Sequence, residues 1–279
     1  MQNYKIYAFA DEASPNIDGQ IKAMARNGLH GLEIRGVDGT NISDITLQKA
    51  KEVKKKIDDN GLCVWSIGSP IGKIGIKDDF SAHLDKLKHT LEVAEILGAQ
   101  NIRMFSFYIP KGENGDDYSQ AVLERVGKML EAAKPYGINL CHENEKGIYG
   151  DTDYRCEILH KAFPSLLGVF DPANFVQCGV DTLEAWQILK PYTHYLHIKD
   201  AKKSGFVVPA GAGNGNLKAI ITDYVKNGGK HFTIEPHLAV FDGFKNLENG
   251  EEPSEFMYEN NDVAFDTACN ALKKILKGI

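Results

Sequence analysis

The chain has no CxxC pair and only five cysteines, Cys63, Cys141, Cys156, Cys178 and Cys269. An odd number without paired spacing argues against a disulfide framework and a zinc knuckle, and fits buried thiols in a reducing compartment. Cys63 and Cys141 fall inside apolar runs, where a small thiol packs well. No apolar stretch is long enough to span a bilayer. No charged-then-apolar leader stands ahead of the first apolar run either, because Met1-Gln2-Asn3-Tyr4-Lys5 leads straight into it. A cytoplasmic protein with no membrane partner is the expectation. Positive charge is not in excess: the net charge is −6. The densest basic run (Lys49, Lys51, Lys54, Lys55, Lys56) has helical spacing and reads as a solvated face, so no nucleic-acid partner is expected. A GxGxxG is also missing after the first apolar run, where Ala8-Phe9-Ala10-Asp11-Glu12 stands, which weighs against an open dinucleotide-binding sheet.

What is present is a repeat. With 279 residues, 43% of them hydrophobic, the chain can bury a large core as two small domains or one α/β barrel. Five times a helical pattern closes on a glycine and a short apolar run follows. Gly28, Gly61, Gly98, Gly137 and Gly228 precede runs at Gly31, Leu62, Asn101, Ile138 and His231. The helical segments carry apolar stripes, such as Phe80, Leu84, Leu87, Leu91, Ala94 and Leu97, or Val122, Val126, Met129, Leu130 and Ala133. Strands are expected to begin near residues 5, 31, 62, 101, 138, 167, 194 and 231, each followed by a helix. The last helix is expected from Val263 to Lys277. A βα unit repeated about eight times is the count that closes a TIM (β/α)8 barrel, here one domain over residues 1–279.

Four consecutive strands in the second half end in residues able to ligate a metal. They are Leu140-Cys141-His142-Glu143-Asn144, Val169-Phe170-Asp171, Tyr195-Leu196-His197-Ile198-Lys199-Asp200 and Phe232-Thr233-Ile234-Glu235-Pro236-His237. Residues at the carboxyl ends of barrel strands share one mouth. Each alone could cap a loop, start a turn or sit in the core; together Glu143, Asp171, His197 and Glu235 suggest one divalent cation. Three carboxylates and one imidazole suit Mn, Mg or Co and tolerate Zn.

At these residues the chain resembles the xylose isomerase-like sugar isomerase/epimerase superfamily, which also includes ketose 3-epimerases and endonuclease IV barrels. The resemblance is sharpest in His142-Glu143-Asn144, Asp171-Pro172-Ala173-Asn174, His197-Ile198-Lys199-Asp200 and Ile234-Glu235-Pro236. It implies a cation held by Glu143, Asp171, His197 and Glu235. Two departures stand out. Asn174 replaces a histidine common three residues after the strand-six Asp, and Lys202 and Lys203 stand where epimerases often have an arginine.

The implied chemistry is isomerisation or epimerisation of a ketose or keto-sugar through an enediolate, an activity of carbohydrate metabolism. Glu143 and Glu235 are the candidate acid/base pair. Candidate substrate-binding residues are Glu33, Trp65, Asn174, Lys199 and His237. For Glu33 and Arg35, two apart on one strand, an ion pair across the barrel is the alternative, and for Trp65, packing under a loop. Arg103 is expected to point inward and order the carboxylates, His142 to face the helices, and Glu145 and His237 to support the ligands. The turn Gly211-Ala212-Gly213-Asn214-Gly215 could present N–H groups to an anion, but reads chiefly as shaping the mouth. Phe241, Phe244, Phe256 and Tyr258, in the segment from Leu238 to Asn261, fit a lid or a contact in a homo-oligomer. A lyase or dehydratase with the same proton chemistry, and a sugar-binding barrel without activity, are the alternatives; an endonuclease IV-like role would need more histidines and a basic groove.

Overall fold

A computed structural model describes residues 4–239 and 258–279. Eight parallel strands close into a barrel: β1 (Lys5–Ala8), β2 (Gly31–Ile34), β3 (Cys63–Gly68), β4 (Asn101–Met104), β5 (Asn139–Glu143), β6 (Leu167–Phe170), β7 (Thr193–Ile198) and β8 (His231–Ile234). Each strand pairs with its neighbours in sequence, and β8 returns to pair with β1 through Lys5–His231 to Ala8–Ile234. Around them run α1 (Ile17–Arg26), α2 (Leu47–Asp59), α3 (Phe80–Leu97), α4 (Ser119–Ala133), α5 (Asp153–Ala162), α6 (Pro172–Gln177), α7 (Thr182–Leu189), α8 (Leu217–Lys226) and α9 (Asn261–Lys277). The TIM barrel expected from the repeat is the observed fold, and the strands begin within one residue of their expected starts.

The local reasons are conventional ones. Helix α3 opens on Asp79, whose side chain accepts the Ser81 N–H, and closes on Gly98 at φ 71°, a left-handed position that costs glycine little. Its buried face is Leu87, Leu91, Ala94 and Leu97, with Phe80 and Leu84 half-buried at its start. On α4, Val122, Val126, Met129 and Ala133 are buried against the sheet and Leu130 is half-buried. The lysine run on α2 is neutralised by neighbours: Lys49 pairs with Asp38, Lys54 with Asp58, Lys55 with Asp59 and Lys56 with Asp18. Among the cysteines, Cys63 departs from the expected burial; it opens β3 and is exposed, whereas Cys141, Cys156 and Cys269 are buried.

Inside the barrel, the lower layer is Tyr7, Trp65, Cys141 and Tyr195, from strands β1, β3, β5 and β7, together with Val169. Four side chains from alternate strands is the packing a small parallel barrel requires. This layer plugs the amino-terminal end, and the buried charged groups gather towards the carboxyl ends. Phe241, Phe244 and Phe256 lie outside the described residues, and Tyr258 is half-buried against the core. No helix of the described residues is long and apolar enough to cross a membrane.

Candidate metal centre and active site

Strand β5 alternates its side chains, so His142 and Glu143 face opposite ways. His142 leaves the lumen for a pocket with Ser106, its Nε2 lying 2.9 Å from the Ser106 hydroxyl. Glu143 enters the lumen. Asp171 follows β6 and is also the N-cap of α6: its Oδ1 accepts the Asn174 N–H at 2.9 Å, with Pro172 in the first turn. Asn144 clamps Asp171 from the other side, accepting its N–H and donating to its carbonyl, both at 2.9 Å. His197 ends the inward row of β7, and Glu235 follows β8. The structure brings all four together: one ligand atom from each of Glu143, Asp171, His197 and Glu235 lies within 4.8 Å of the others, and all four residues are buried.

Each glutamate is braced by an arginine on one oxygen and faces His197 with the other. Arg103 Nη1 donates to Glu143 Oε2 at 3.0 Å, and Arg35 Nη1 lies 3.4 Å from Glu235 Oε1. His197 Nδ1 sits 3.0 Å from Glu143 Oε1 and 3.3 Å from Glu235 Oε2. On the far side of the imidazole, Nε2 is 3.1 Å from Glu33 Oε2. Both ring nitrogens thus face carboxylates, which can only accept; Nε2 is committed to Glu33, and Nδ1 is the edge turned to the ligand group. Lys199 Nζ lies 3.2 Å from both Asp171 Oδ2 and Glu235 Oε2.

The electrostatics are those of a crowded anionic site. Burial alone would lower the pKa of His197, but Glu143 and Glu33 hold it well above the usual imidazole range. Burial would raise Glu143, yet His197 and Arg103 bring it down to about 2. Asp171 behaves oppositely: burial, only partly offset by Lys199, pushes it up to about 7. Two buried oxygens, Asp171 Oδ2 and Glu235 Oε2, accept no hydrogen bond although charged groups surround them. An acceptor left so costs about 1–3 kcal/mol, more when ionised. Both belong to the four candidate ligand residues, and a divalent cation beside them would satisfy both. The charge balance fits too. Lining the lumen, the buried carboxylates Glu12, Glu33, Glu143, Asp171 and Glu235 outnumber the buried cations Arg35, Arg103 and Lys199 by two, the charge of one such ion; the sixth buried carboxylate, Asp200, is held apart by backbone N–H groups. A second group, Glu12, Glu235 and His237, has ligand atoms equally close. Arg35 already supplies positive charge there, 3.1 Å from Glu12 and 3.4 Å from His237 Nε2.

The other expected site residues divide. Asn174 is at the centre: its Nδ2 donates to Glu143 Oε1 at 3.3 Å and to the Asn144 carbonyl at 2.9 Å, while its Oδ1 is buried without a donor. Lys199 is also there, and His237 Nε2 touches Glu235 at 3.2 Å. Glu33 lies against His197. Both its oxygens are engaged within the lumen, by His197 and by the Tyr195 and Ser66 hydroxyls at 2.9 and 3.3 Å. Trp65 takes the packing alternative, though inside the barrel rather than under a loop: it stacks on His231 at 4.2 Å and Tyr7 at 4.9 Å in the plug of the opposite end, because it falls in the lower half of β3. Glu145 pairs with Lys73 at 2.7 Å. Missed from sequence was Glu12, which bonds Arg35 and accepts the His237 N–H. The only signal was its position just past β1, where Asp11-Glu12 stands in place of a glycine fingerprint.

The family model described as xylose isomerase-like TIM barrel matches residues 21–248. The chain belongs to that family. A curated relative, the 2-oxo-tetronate isomerase of Haemophilus influenzae, is 28% identical over 100 residues, covering 33% of this chain and 38% of the relative. The match thus spans little more than a third of that relative's length. Two solved structures share the barrel at 17% identity. One is an L-ribulose 3-epimerase, TM-score 0.75, covering 100% of this chain and 95% of the other. The second is a probable 3-DHS dehydratase involved in petrobactin synthesis from Bacillus anthracis, TM-score 0.73, covering 98% and 99%. The same barrel thus carries isomerase, epimerase and dehydratase names, and the fold alone does not select among them.

Proposed function

We propose that this member of the family is a divalent-metal-dependent isomerase or epimerase of a ketose or keto-sugar. The observation that carries the reading is the pairing of two buried glutamates, Glu143 and Glu235, on either side of one imidazole edge, each fixed by its own arginine. A sugar-binding barrel has no need of two oriented bases. An ion held by Glu143, Asp171, His197 and Glu235, with Mn, Mg, Co or Zn as candidates, would polarise a carbonyl and its neighbouring hydroxyl and acidify the C–H between them.

The chain's own residues supply the rest. One glutamate takes the proton from carbon, and the other returns a proton to the opposite face or, for an isomerase, to the adjoining carbon. The low pKa of Glu143 follows largely from a charged His197 beside it; a neutral His197 relieves that pull and makes the carboxylate a better base. Arg103 and Arg35 keep each carboxylate pointed inward. Asn174 Oδ1 would accept from a substrate hydroxyl, and Lys199 Nζ would donate to a hydroxyl or carbonyl. The likeness to a dehydratase supports a second reading, in which the same proton abstraction is followed by loss of hydroxide.

Solvent-deuterium exchange over a panel of ketoses, with each cation added in turn, tests both. Deuterium at a carbon next to the carbonyl, with the sugar otherwise intact, supports the isomerase. A product short of one water supports the dehydratase. No exchange across the panel overturns catalysis of this kind and leaves a binding protein.

A further inference from the structure

The glycine-rich turn after β7 is folded around a carboxylate of the protein itself. Asp200, buried just past Lys199, accepts the N–H groups of Gly211 and Gly213 on Oδ2, both at 2.9 Å. Its Oδ1 accepts those of Gly215 at 2.8 Å and Ala201 at 2.9 Å. The approach is so close that a Cβ on Gly213 or Gly215 would lie 2.3 or 2.8 Å from Oδ1. Backbone N–H groups converging from such a turn, ahead of a helix, form an anion cradle. Barrels commonly seat a substrate phosphate at the loops after strands seven and eight. Here the anion in the cradle is Asp200.

A second, independent observation concerns the cations of the mouth. Arg35 is engaged by Asp11, Glu12 and Glu235, Arg103 by Glu143, and Lys199 by Asp171 and Glu235. Lys73, at the rim, pairs with Glu145. One divalent ion balances the charges lining the lumen, and Asp200 and Asp11 leave the mouth negative. Among the described residues, a phosphate dianion placed there would meet surplus negative charge and a cradle already filled, so that its desolvation goes largely uncompensated.

We infer that the substrate carries no phosphate group: it is an unphosphorylated keto-sugar, and Asp200 is the residue that sets this preference by filling the anion cradle. The word substrate rests on the isomerase reading above, but the filled cradle does not. The test is therefore in two arms. Sulfate, a phosphate-shaped dianion and a weak ligand of Mg2+, is titrated calorimetrically into the Mg2+-loaded protein. No saturable binding up to about 10 mM is expected, and saturable binding in that range overturns the inference. Asp200→Ala opens the N–H groups and is expected to gain sulfate binding. A folded variant that stays blind to sulfate also overturns it, and if the variant does not fold the wild-type titration decides. In the second arm, kcat/KM is compared for free ketoses and their 1- and 6-phosphates, with a preference for the free sugar of roughly a hundredfold or more expected. A phosphate ester used as well as the free ketose overturns the inference. If nothing turns over, the isomerase reading falls and the sulfate arm still judges the cradle.

Discussion

Replacing Glu33 with glutamine is expected to weaken divalent-cation binding by roughly ten- to a hundredfold while the barrel stays folded. Glu33 lies below the four candidate ligands and never touches the ion's position. Its Oε2 holds His197 Nε2 at 3.1 Å, which leaves Nδ1 as the edge turned towards Glu143 and Glu235. Glutamine fits the same volume but loses the charge, and its amide can turn an N–H2 towards Nε2. That reverses the tautomer and points an N–H at the cation. A hydrogen bond to a charged group is worth about 1.5–3 kcal/mol net. Since about 1.4 kcal/mol is a factor of ten, the expected loss is one to two decades. Calorimetric titration with Mn2+ measures it, and a thermal melt without cation confirms folding. Tyr195→Phe is the control: it removes the hydroxyl donating to Glu33 Oε1 at 2.9 Å but leaves the contact with His197, so its effect on affinity is expected to be much smaller. Glu33→Gln binding Mn2+ as tightly as wild type, with the fold intact, would refute the reasoning.

Glu143→Gln and Glu235→Gln are each expected to lower deuterium exchange by roughly a hundredfold to ten-thousandfold, with circular dichroism unchanged; activity within tenfold of wild type would remove the acid/base assignment. Trp65→Ala takes a large ring from the plug between Tyr7 and His231, and is expected to cost about 3–5 kcal/mol of stability. The surviving folded fraction is expected to keep its kcat/KM, and a selective loss of KM would return Trp65 to the substrate. Burial, reinforced by His160, brings the pKa of His142 down to about 3 from 6.5. The native state therefore favours the neutral ring. Its contribution is full above pH 6.5 and is lost as pH falls towards 3, by a few kcal/mol at most. Denaturant midpoints measured between pH 6.5 and 4.5 should fall for the wild type and fall less for His142→Asn; equal slopes would contradict this.

The order of strands and helices was legible because each βα unit repeats the same punctuation, and because helix stripes and short apolar runs have different periods. The carboxyl-terminal residues of β5 to β8 were legible for the same reason: strand ends are marked by where apolar runs stop. Depth along the barrel was not. Trp65 and Glu33 both point inward, as alternation allows, yet one lies in the plug and the other beneath His197. Strand tilt and the register shift between Leu32 and Glu33 set that height, and neither leaves a mark in one sequence. Glu12 was missed for a related reason, since its role depends on Arg35 and His237 reaching it from β2 and β8. The glycine turn was read as shaping the mouth; its partner, Asp200, becomes visible only when the loop folds back over the end of β7.

Anomalous diffraction from crystals grown with Mn2+ addresses the central claim most directly. One peak bonded to the carboxylates of Glu143, Asp171 and Glu235 and to Nδ1 of His197 is the expected result. No peak at that position, or a peak among Glu12, Glu235 and His237 instead, would contradict it.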